Sequence, residues 1–98
     1  MTPRLVFRPQ AERELLEASS WYEECRPGLG QEFAEAIAAR IAGILSSPLA
    51  SPRVRGEMRR SVVQRFPYAI YYQILSDEVV VLAVMHGRRH PRRWESRR

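Results

Sequence analysis

Seven consecutive apolar residues, Val79 to Met85, constrain this chain more than any other segment. Successive side chains of a strand point to opposite faces of its sheet. An uninterrupted apolar run of strand length therefore predicts a central strand covered on both sides. The preceding block, Tyr68 to Leu75, is aromatic and β-branched, and Ser76-Asp77-Glu78 reads as a tight hairpin connection between the two. The run stops at His86, and from there to Arg98 the chain is almost all polar, with one tryptophan.

The first half follows a different period. Leu5 to Arg8 reads as a short strand, and Pro9 suits the first turn of a helix, where its missing N–H costs nothing. Ala11, Leu15, Ala18, Tyr22 and Cys25 recur at spacings of four and three, one face of an amphipathic helix. Pro27-Gly28 ends it. From about Gly30, Phe33, Ile37, Ile41, Ile44 and Leu45 mark a second helix, stopped by Ser46-Ser47-Pro48. Two helices joined by so short a turn form an antiparallel hairpin. The connector to Gly56 reads as an exposed loop. Met58 to Phe66 alternates imperfectly as a strand, and Pro67 makes a turn or bulge. The expected fold is α+β, in the order β-α-α-β-β-β, a mostly antiparallel twisted sheet with both helices on one face. One helical hairpin covers one face only. The other face of Val79 to Met85 is left for the tail, a second copy or a partner.

A chain of 98 residues makes one domain, 1–98, with a basic tail over 88–98. No stretch approaches the ~20 apolar residues of a membrane span. The N-terminus has no signal-peptide core, and the lone Cys25 fits a reducing, cytoplasmic setting. All 16 basic residues are arginine, the side chain suited to gripping phosphate or carboxylate with a planar fork; a codon bias towards arginine accounts for the same count. Residues 9 to 46 hold seven glutamates against three arginines, a net of −4, so the overall +5 leaves +9 on the remainder. An acidic helical half and a basic sheet-and-tail half point to nucleic acid or an acidic protein partner.

The element order, the Phe66-Pro67-Tyr68 opening of FPYAIYY, and the ending His86-Gly87-Arg88-Arg89-His90-Pro91-Arg92-Arg93-Trp94 together resemble the RelE/ParE superfamily of bacterial toxins. So do the early Trp21-Tyr22 pair and the Pro27-Gly28-Leu29-Gly30 turn before Phe33. The resemblance covers nearly the whole chain. It implies the toxin of a type II toxin–antitoxin module, of the plasmid-stabilisation type, neutralised by a cognate antitoxin. RelE-like members cut mRNA on the ribosome; ParE-like members block DNA gyrase and lack the nuclease residues.

Cleavage by 2′-hydroxyl attack needs a base, an acid for the leaving oxygen and cations at the phosphate. The RelE-like pattern implies an arginine in the Gly-Tyr-Arg-x-x-Tyr strand, an arginine after the last strand and a tyrosine near the C-terminus. Ala69 stands at the first position and Trp94 at the last; Arg88 alone matches. Indole is no useful proton carrier. The ParE-like reading, binding and inhibition of DNA gyrase without catalysis, is therefore preferred. A ribosome-dependent mRNA endoribonuclease drawing on Arg60, His86, Arg88 and His90 is the alternative, and a basic nucleic-acid-binding module without toxicity the second. Arg88, Arg89, Arg92, Arg93 and Trp94 are the expected target contacts. Trp21, Tyr22, Val79 and Val81 are the expected antitoxin contacts. The spacing supports neither a metal site nor a cofactor. A homodimer, or a heterotetramer with the antitoxin, is compatible with the sequence.

Overall fold

The structure is a computed structural model and describes residues 2–87. Its order is β1 (Arg4–Phe7), α1 (Pro9–Cys25), α2 (Leu29–Ser46), β2 (Arg53–Arg55), β3 (Met58–Val62), β4 (Tyr68–Leu75) and β5 (Glu78–His86). The sheet runs β1-β5-β4-β3-β2. β1 is parallel to β5, and every other pairing is antiparallel. The expected α+β architecture is present, with β5 inside the sheet and α1 packed on it.

Two details depart from the sequence reading. The connector expected as a loop contains an edge strand, Arg53–Arg55, paired with β3 yet exposed at all three residues. Three residues flanked by a proline carry too little pattern to announce a strand. The strand expected over Met58 to Phe66 stops at Val62, and Arg65 turns the chain with φ 73° before Phe66.

The helical hairpin is locked by its connection. Arg26, held before Pro27, is extended and ends α1. Gly28 then takes φ 88°, a conformation costly for any residue with a Cβ. Glu23 of α1 accepts the N–H groups of Gly28 and Gly30 at 3.0 Å each, satisfying donors that the start of α2 would otherwise leave unpaired. Gly30 sits so close to α1 that a Cβ there would lie 2.5 Å from the Ser19 carbonyl oxygen. The turn thus sets the approach of the helices as well as their reversal.

Beneath the helices lies the main core: Phe33, Ile37 and Ile44 of α2 against Ile70, Tyr72, Val79, Val81 and Val84 of the sheet. The Tyr72 hydroxyl donates to the Pro48 carbonyl at 2.7 Å, so this buried phenol is satisfied at the end of α2. On the other face Met58, Ala83 and Met85 form a smaller cluster with Tyr71 and Leu82 against it. The two faces change parity along β5. Tyr71 pairs with Ala83 and Tyr72 with Val81, leaving Leu82 as the extra residue of a β-bulge. Val80, Ala83 and Met85 are each no more than 3% exposed within one copy of the chain. These three side chains are closed off within one copy, so of the covers that the sequence left open, neither a second copy nor a partner is needed for them.

A groove on the first helix

β1 accompanies β5 only as far as Val81, whose carbonyl takes the Arg8 N–H. Past that point no strand flanks this side of β5 among the described residues. The Val84 N–H there donates to the Glu14 carboxylate of α1 at 2.9 Å. The gap between α1 and this end of the sheet is a groove of about 600 Å³, walled by Glu17, Trp21 and Tyr22 on one side and by Tyr68, Val84 and His86 on the other. Nothing in the sequence singled out Glu14 from the other glutamates of α1. Only the end of β1 reveals a strand edge for it to cap.

The groove has an aromatic floor. Tyr22 lies 5.1 Å from Phe33, 5.0 Å from Phe66 and 6.1 Å from Tyr68, ring centre to ring centre. Tyr68 meets His86 edge-on at 5.4 Å. These offset and edge-to-face contacts are favourable ring geometries. Burial, then the neighbouring Tyr68 and Cys25, push the Tyr22 phenol above its ordinary value, so it stays a neutral hydroxyl at physiological pH. Trp21 stacks edge-on against Tyr22 at 5.1 Å but remains 60% exposed. On its far side a shallower hollow of about 400 Å³ runs past Leu16, Ser20 and Glu24.

The expected site residues divide as follows. Trp21 and Tyr22 sit together on this groove. Val79 and Val81, expected as antitoxin contacts, are 0% exposed beneath the helices, and this expectation is corrected: the core has already taken both side chains. Cys25, read as part of the apolar face of α1, is exposed at its end. Arg60 and His86, proposed as members of one nuclease set, occupy opposite faces of the sheet. Arg60 Nε donates to the Tyr71 hydroxyl at 3.2 Å on the second face, whereas His86 joins Tyr68 on the helix face. Arg88, Arg89, His90, Arg92, Arg93 and Trp94 lie outside the described residues. Among the described residues no group of three or more His, Cys, Asp or Glu side chains is placed to hold a metal ion. No described helix is long and apolar enough to cross a membrane.

Comparison with known proteins bears on the same fold. Curated proteins give no match to the sequence. A solved structure described as the chromosomal ParDE TA system from P. aeruginosa superposes with a TM-score of 0.77 at 13% identity, over 87% of this chain and 96% of that one. At that identity the likeness is one of fold. Residues 5–91 match the family described as the ParE toxin of the type II toxin–antitoxin system parDE. With that match running from β1 past the end of β5, the chain belongs to the ParE toxin family of type II toxin–antitoxin systems.

Proposed function

We propose that this protein is a cytoplasmic bacterial toxin that acts by binding and inhibiting DNA gyrase, and that a cognate antitoxin neutralises it by covering Trp21 and Tyr22. The observation that carries the non-catalytic reading is the separation of Arg60 and His86 by the thickness of the sheet. General acid–base chemistry requires its groups within hydrogen-bond reach of one reacting phosphate. The position that an RNA-cutting relative fills with arginine is here Ala69, fully buried opposite Met85. An alanine supplies neither charge nor proton. The basic tail, with Arg88, Arg89, Arg92, Arg93 and Trp94, is left as the target-binding element.

Expression of the chain alone should arrest growth, and co-expression of the neighbouring gene should restore it. Purified toxin should inhibit gyrase supercoiling and leave mRNA intact when ribosomes are present. His86→Ala should retain toxicity, while Arg88→Ala combined with Arg89→Ala should weaken it. Ribosome-dependent cleavage lost by a factor of about 10²–10⁴ on His86→Ala would instead establish the nuclease.

A further inference from the structure

We infer that the antitoxin segment seated on α1 is cationic as well as apolar, setting large apolar side chains against Leu16 and Trp21 and arginine or lysine against Glu17 and Glu24. The inference rests on the reading of this face as the antitoxin's seat, and it names the chemistry brought there. Leu16, Ser20 and Glu24 follow one another at four-residue spacing, and Glu17 and Trp21 form the adjacent row. Rows at this spacing are the ridges that a second helix packs between. Leu16 is 62% exposed and Trp21 60%, the most exposed large apolar side chains of the two helices. The small Ser20 lies between them in sequence and lines the same hollow.

The charge of the seat is set by what the carboxylates of α1 already do. Glu23 is engaged at the start of α2, and Glu14 holds the Val84 N–H. Glu12 stands in the first turn, where the helix dipole favours it. Glu17 and Glu24 make no hydrogen bond or ion pair among the described residues, and Arg13, one turn before Glu17, makes none with it. Two uncommitted carboxylates thus flank two exposed apolar side chains on a molecule whose net charge is +5. Like charges brought together across an interface disfavour association, and opposite charges favour it, so a segment carrying arginine or lysine is the match for this pair.

The probe is the product of the neighbouring reading frame, purified with the full-length toxin and titrated at low and high salt. Trp21→Ala should weaken binding by about 30-fold or more, the loss typical of a buried anchor. Glu17→Arg with Glu24→Arg should weaken it by about 10- to 100-fold, and wild-type affinity should fall as salt rises. All three side chains are exposed, so thermal melting is expected to report intact folds. Loss on Trp21→Ala with unchanged or tighter binding of the double arginine variant overturns the cationic segment and leaves the seat in place. Undiminished binding of every variant overturns the seat itself. Self-association of the toxin alone, abolished by Trp21→Ala, assigns the face to a second copy and also overturns the inference.

Discussion

The two faces of the sheet are built to different depths from neighbouring residues of the same strands. Tyr72 points under the helices, is fully buried and spends its hydroxyl on Pro48. Tyr71, one residue earlier, is half-buried on the other face and accepts from Arg60. The helix side stacks Phe33, Ile37, Ile70 and the aromatic floor of the groove into one continuous core. The opposite side has two methionines and an alanine, with Tyr71 and Leu82 beside them. Folding free energy is therefore concentrated under the helices, because apolar stabilisation scales with the area removed from water. The second face is thinner and carries a cation within the sheet.

The sharpest way to break this comparison is to empty each side in turn. Phe33→Ala removes a fully buried ring from the junction of α2 and the aromatic floor and should cost about 3–5 kcal/mol. Domains of this size hold only about 5–15 kcal/mol in total, so the variant should be largely unfolded near body temperature. Met85→Ala, on the second face, should cost about 2 kcal/mol, the low end for a buried methionine. Urea titration measures both. An equal loss at the two positions would erase the distinction between the faces.

The adjacent tyrosines give a finer comparison. Tyr72→Phe should cost about 1 kcal/mol, because it removes a satisfied buried hydroxyl and leaves the Pro48 carbonyl short of a donor. Tyr71→Phe should cost less, since Arg60 on the partly open face can turn to water. Equilibrium unfolding of both variants checks the order.

The smallest effect belongs to the rim of the helix side. Arg65 and then Arg26 hold the Glu32 carboxyl below its ordinary range, tying the β3–β4 connection and the helical turn to α2. A carboxyl with a lowered folded-state pKa contributes stability above its unfolded value and loses it as pH falls through the folded one. Glu32→Gln should therefore lower Tm slightly at neutral pH, and the gap from wild type should close in acid. A gap that widened in acid would reverse the assigned sign.

Much of the fold was legible because period and punctuation agree in this sequence. The four- and three-residue spacing of Ala11, Leu15, Ala18 and Tyr22 marks α1, and Pro27-Gly28 marks the reversal. The apolar block Val79 to Met85 announces a strand buried on both sides, and it is buried on both sides. The groove was half legible. Trp21 and Tyr22 could be singled out as a pair, but their division into an exposed ridge and a half-buried floor could not, because adjacent helical residues differ by about 100° in direction and only the neighbours decide which is covered.

What the sequence by itself determined is the identity and order of the main elements, the separation of an acidic helical layer from a basic remainder, and the family to which they belong. What tertiary structure alone decided is which side of β5 each apolar residue serves. Strict alternation would place Val79, Val81, Ala83 and Met85 on one face. The bulge at Leu82 sends the first two under the helices and the last two to the opposite side. Seven apolar residues in a row carry no parity, so no pattern among them can report a one-residue shift. That shift is settled by pairing with β4, and through it Val79 and Val81 enter the core beneath the helices.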